Sequence, residues 1–129
     1  MLNIKSTIIL ILMMILSVVV KAENTYIYGI AFSPTDSVVY MTDIRMLENV
    51  TINKKTNFLS SRNEYATQMK KYMESEGITD YICATVYKPT YNQIYKDYTI
   101  LKKQYEKKGM LINTIDQLKF QFQPFIESK

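Results

Sequence analysis

The chain of 129 residues contains no histidine. That absence removes the commonest general base, the Ser-His-Asp and Cys-His arrangements, and the imidazole metal sites. Glycine occurs only three times, at positions 29, 77 and 109, so no glycine-rich loop can be built to cradle a phosphate. There is a single cysteine, Cys83. An exported fold stapled by disulfides needs an even set, so this one must hold by packing. Cys83 sits in the apolar run Tyr81 to Val86, as a small buried hydrophobe does. Tryptophan is absent and tyrosine is abundant, with 11 copies. Tyrosine must therefore serve as core filler and as surface contact at once.

The N-terminus has the three parts of a secretory signal peptide. A basic stretch, Met1 to Lys5, precedes an apolar run from Ile8 to Val20, and Val20-Lys21-Ala22 supplies the small residues before a cut. The run is shorter than the roughly 20 apolar residues that span a bilayer, so cleavage after Ala22 is expected rather than a retained anchor. Residues 1–22 are read as the leader and 23–129 as one domain, of a size that buries a core unaided. Of 16 basic residues two, Lys5 and Lys21, belong to the leader, leaving 14 against 12 acidic ones. So even a balance speaks against nucleic acid as a partner. The expected location is periplasmic or extracellular, with no stable membrane span after cleavage.

Beyond the leader, Tyr26 to Phe32 and Val38 to Ile44 are rich in aromatic and β-branched residues and are joined by the turn formers Ser33 to Ser37. They predict a β-hairpin. Residues 46–57 are polar and irregular and predict a long loop. Ser61 and Glu64 form a capping box, followed by Tyr65, Met69, Tyr72 and Met73 at helical spacing, with Gly77 as the stop. A strand is expected over Tyr81 to Tyr87. The second helix repeats the pattern: Thr90 and Gln93 as capping box, a seam at Tyr91, Ile94, Tyr98, Leu101 and Tyr105, and Gly109 as the stop. Its charges, Lys96, Asp97, Lys102, Lys103 and Glu106, read as a solvated face. Strands are then expected at Leu111 to Ile115 and Leu118 to Gln123.

The order β-β-α-β-α-β, with one apolar stripe per helix, predicts an α+β fold. Its expected form is a two-layer α/β sandwich, both helices on one face of a mainly antiparallel sheet of four to five strands. Alternation places Tyr28, Ile30, Phe32, Val38, Tyr40, Ile44, Ile82, Ala84, Val86, Phe120 and Phe122 toward the helices. Met41, Asp43, Arg45, Thr85, Tyr87, Lys119 and Gln121 then fall on an open face. Asp43, Arg45, Tyr87 and Lys119 are the candidate binding residues on that face. No catalytic residue, metal ligand or cofactor is indicated. Asp36 and Asp43 are the only pair singled out for carboxylate hydrolysis, and Asn49-Val50-Thr51 matches an N-glycosylation sequon.

Two stretches, Tyr28 to Ile44 and Phe58 to Tyr72, resemble a family of small exported proteins of Gram-negative gut anaerobes. The resemblance implies a periplasmic or outer-envelope setting and brings no functional residues to carry over. Tyr81 to Ile115 is similar in layout to half of a SPOR domain, a peptidoglycan-binding module, although Ser33 to Asn57 departs from that family's first half. The expectation is a non-enzymatic binding or interaction module of the cell envelope, its partner an envelope protein or a cell-wall glycan. The alternatives are a small glycan or peptide hydrolase using carboxylates and a secreted effector or inhibitor.

Overall fold

A computed structural model describes residues 22–53, 58–59 and 62–125. Residues 1–21 of the expected leader (1–22), the Ser61 half of the first capping box and the C-terminal tail lie outside the described residues. The elements are β1 (Ala22–Phe32), β2 (Val38–Thr42), β3 (Arg45–Asn53), β4 (Phe58–Leu59), α1 (Arg62–Ser75), β5 (Ile82–Lys88), α2 (Tyr91–Lys107) and β6 (Leu111–Ile115). The class is α+β, with two helices and a mostly antiparallel sheet, as expected. Among the described strands only the pairing of β2 with β6 is parallel.

The sheet is built around β1. On one edge it pairs with β5 along Tyr26 to Phe32. On the other it meets β2 at Ile30 and Ala31 and β3 from Ala22 to Ile27. β2 and β3 are thus one long strand broken by a bulge. Ile30 lies opposite Met41 and Ile27 opposite Arg45, so Tyr28 and Gly29 face three residues, Thr42 to Ile44. Where the ladder is interrupted, the Thr42 hydroxyl accepts the Gly29 N–H at 2.8 Å, keeping that buried donor satisfied. A second extra residue enters at Glu48-Asn49, opposite Asn24. Asn49 takes a positive φ of 55° there, a conformation asparagine tolerates better than most residues.

These bulges explain why 46–57 reads as a loop. β3 occupies most of it, but each extra residue breaks the period-two alternation by which a strand is recognised. Leu47 and Val50 are both buried although an odd number of positions separates them.

The helices cover opposite faces of the sheet, correcting the two-layer expectation to three layers. Ile27, Ala31, Leu47 and Val50 form one cluster with Tyr65, Met69 and Met73 of α1 and with Ile115 and Phe122. Tyr28, Ile30, Val39 and Met41 form the other with Ile94 of α2. The register is the cause: with Ile30 opposite Met41, even positions of β1 share a face with odd positions of β2. Val39 and Met41 therefore join Tyr28, while Tyr40 turns to the α1 side with Phe120 and Phe122. The bulge then returns Ile44 to the α2 side.

The segment expected as a final strand, Leu118 to Gln123, is a turn at 117–119 followed by irregular chain. It lies over the α1 face without a ladder. The Gln68 side chain substitutes for a neighbouring strand: its amide donates to the Gln123 carbonyl and its oxygen accepts the Gln123 N–H, each at 2.9 Å. The Tyr65 hydroxyl accepts from Phe125 N at 3.0 Å. Phe122 meets Tyr65 edge-on at 6.2 Å and Phe120 at 4.9 Å. Gly29 makes this closeness possible, since a Cβ there would stand 2.6 Å from Met69 Sδ and 2.8 Å from Phe122 Cζ.

Helix termini follow the sequence signals. Thr90 Oγ1 accepts the Gln93 N–H at 3.3 Å at the start of α2. Gly77 and Gly109 adopt φ of 77° and 80° beyond the two helix ends, where a side chain would be strained. Among the described residues no helix is long and apolar enough to cross a membrane.

Candidate functional site

The α2 side of the sheet carries an open cleft lined by tyrosines and a carboxylate. Tyr91, Tyr95 and Tyr98 recur at spacings of four and three, which brings them onto one stripe of α2. Tyr98 is the inner member. It meets the fully buried Tyr28 edge-on, with centroids 5.1 Å apart and planes at 89°. Tyr91 and Tyr95 are the outer members, 50% and 54% exposed. Their rings are stacked, 5.8 Å between centroids and 21° between planes, and Tyr26 braces Tyr91 edge-on at 5.7 Å.

The opposite wall comes from the bulge. Asp43 N donates to the Ile115 carbonyl at 3.3 Å, and Asp43 Oδ2 accepts the Gln117 N–H at 2.9 Å. Together these bonds clamp the β2–β3 break to the turn after β6. Asp43, Ile44, Gln117 and the three tyrosines line an open cleft of about 300 Å³. Burial raises the Tyr98 phenol pKa, and the Asp43 charge raises it further against a hydrogen bond to Thr114. Tyr98 therefore stays neutral beside the carboxylate at any physiological pH.

Beneath the cleft, Tyr28 donates to Asp97 Oδ1. Its pKa is raised, first by burial and then by that bond. Asp97, read from the sequence as part of a solvated face, is half-buried and serves as the acceptor of a core hydroxyl. A buried tyrosine hydroxyl needs such a partner.

The four sequence candidates do not converge. Asp43 alone reaches the cleft. Arg45 lies opposite Ile27, on the α1 side, where its Nη1 donates to Gln121 Oε1 at 2.7 Å and its Nε is buried without a hydrogen-bond partner among the described residues. Tyr87 packs against the α1 cluster. Lys119 lines a separate cavity of about 180 Å³ with Tyr40, Tyr72 and Glu76. The open face that was to unite them is covered by α1 and by the chain from Phe120 onward.

Tyr91 and Tyr98 were legible only as a core seam, and Tyr95 and Gln117 carried no signal of their own. A tyrosine triplet on a helix whose one fully buried residue is Ile94 is the pattern that marks the site.

Asp36 and Asp43 stand at opposite ends of β2. A five-residue strand at about 3.3 Å per residue separates them by on the order of 15 Å, beyond the carboxylate spacings of about 5–9.5 Å that glycoside hydrolysis uses. Asp36 instead accepts from the Tyr81 hydroxyl at 3.0 Å. Burial, followed by that bond, pushes the Tyr81 pKa up to about 12. Burial also raises the half-buried Cys83 thiol, which disfavours the nucleophilic thiolate. Among the described residues, no group of three Cys, Asp or Glu side chains is placed to hold a metal ion.

Comparison of the chain with protein-family profiles, with curated proteins and with solved structures finds no match.

Proposed function

We propose that the protein is an exported, non-enzymatic binding module of the cell envelope that takes its ligand in the cleft between α2 and the Asp43 bulge. The cleft carries the reading. Exposed aromatic faces and unspent polar groups converge there on a framework of packed strands and helix, as ligand sites do. The leader supports export, and the lack of histidine together with the separation of Asp36 from Asp43 supports binding rather than turnover.

The test is sedimentation of the exported chain with purified cell-wall sacculi and with envelope membranes. Retention that drops in Tyr95→Ala is expected. No retention on either fraction, or equal retention of the variant, contradicts the proposal. Mass spectrometry of the native product should show a chain beginning at Glu23; Met1 still attached would remove the export half of the reading.

A further inference from the structure

We infer that the ligand of this cleft is a neutral saccharide chain, which lies on the Tyr91–Tyr95 pair and is fixed through its hydroxyls by Asp43 and Gln117. The inference rests on the binding reading above and names its ligand class. Three observations select a sugar.

The first is ring geometry. Tyr91 and Tyr95 are stacked on one another within 21° of parallel and are half exposed, so the stack leaves an outer ring face to a ligand rather than the several inward-facing walls that surround an organic cation. A pyranose ring offers a flat apolar face of C–H groups that covers one such ring.

The second is hydrogen-bond capacity. Asp43 uses Oδ2 on Gln117 N. Among the described residues Oδ1 and the Gln117 side-chain amide take no hydrogen bond. The free carboxylate oxygen and the Gln117 side-chain amide both line the cleft and provide two acceptors and an NH2 donor group, the set that a pair of vicinal hydroxyls satisfies.

The third is charge. Among the described residues Asp43 is the only charged one lining the cleft, and no lysine or arginine joins it. Phosphorylated and uronic sugars would place a second negative charge against that carboxylate, which like-charge repulsion disfavours.

Calorimetric titration of the exported chain with cellotetraose, chitotetraose, tetragalacturonate and tetramethylammonium tests the inference. A neutral tetrasaccharide is expected to saturate with a Kd of about 0.1–1 mM, as a shallow open site allows. Tyr91→Ala and Tyr95→Ala should each weaken it about tenfold. Tyr95→Phe, which keeps the ring face and loses only the hydroxyl, should stay within about threefold. Tetragalacturonate should bind at least about tenfold more weakly than cellotetraose. Urea unfolding of each variant separates a lost contact from a lost fold.

Failure of both neutral sugars to bind, affinity unchanged in Tyr95→Ala, or tighter binding of tetragalacturonate or tetramethylammonium overturns the inference. If sacculi or membranes still retain the protein through Tyr95 while neither sugar binds, only the saccharide assignment falls. If retention is absent as well, the binding reading falls with it.

Discussion

α1 and α2 cover opposite faces of the same sheet, yet they close them to different degrees. The 14 residues of α1 bury Tyr65, Met69 and Met73, and the chain after β6 adds Phe120 and Phe122 to fill the space between helix and strands. The 17 residues of α2 bury only Ile94. Its remaining apolar positions are tyrosines and long aliphatics left partly in water. The more fully closed face commits its rings to packing and keeps only smaller cavities, such as the one beside Lys119. An incompletely closed one keeps aromatic surface and polar groups available, and here it does so beside a bulge that aims a carboxylate at them.

Five expected outcomes sharpen or break this contrast. The largest belongs to the α1 side: Phe122→Ala removes a ring that is 1% exposed and should cost about 3–5 kcal/mol in urea unfolding. A cost near that of a surface substitution would mean that the final segment does not seal this face.

Gly29→Ala should cost about 1–3 kcal/mol, because the new methyl meets Met69 and Phe122 from within β1. The same unfolding assay checks it, and Met69→Ala in the Gly29→Ala background should recover part of the loss.

On the α2 side the buried polar pair is the sensitive point. Asp97→Ala leaves the Tyr28 hydroxyl without an acceptor and should cost about 1–3 kcal/mol, while adding Tyr28→Phe should relieve some of it. The two phenols bonded to carboxylates, Tyr28 and Tyr81, also set an alkaline limit. Both pKa values are raised above the ordinary tyrosine value of 10.0, so the folded state holds their protons more tightly than the unfolded chain does. Their contribution is complete below pH 10 and is lost as pH rises, for Tyr81 through about 12. The urea midpoint should therefore fall across that interval, and Tyr81→Phe should flatten part of the fall. A midpoint constant from pH 9 to 12 would contradict it.

The smallest expected effect is Tyr95→Ala, within about 0.5 kcal/mol of the parent protein. A side chain that binds a ligand without supporting the fold should behave in this way.

Local signals were legible where a residue's own chemistry fixes the backbone. Thr90 and Gln93, Gly77 and Gly109, and the turn formers from Ser33 to Ser37 mark their boundaries without help from the rest of the chain. What was not legible depends on register. Nothing in Val38 to Ile44 reveals that Met41 pairs with Ile30, and that pairing decides which face each residue joins. The break at Thr42 to Ile44 then separates Asp43 from Arg45, two residues that simple alternation puts together. Asp43 was found as a candidate, but its partners come from α2 and from the turn after β6, and only folding brings them within reach. Phe120 and Phe122 alternate like a strand, yet they are held by the Gln68 side chain instead of a ladder.

Backbone amide shifts of the protein, followed during titration with cellotetraose or with solubilised cell-wall fragments, give the most direct test that the α2 face and not the α1 face is receptive. The changes should concentrate at Asp43, Ile44, Gln117 and the first two turns of α2, and leave Met69, Met73 and Phe122 in place. Changes centred on α1 and Phe122, or none on either face, would contradict the assignment.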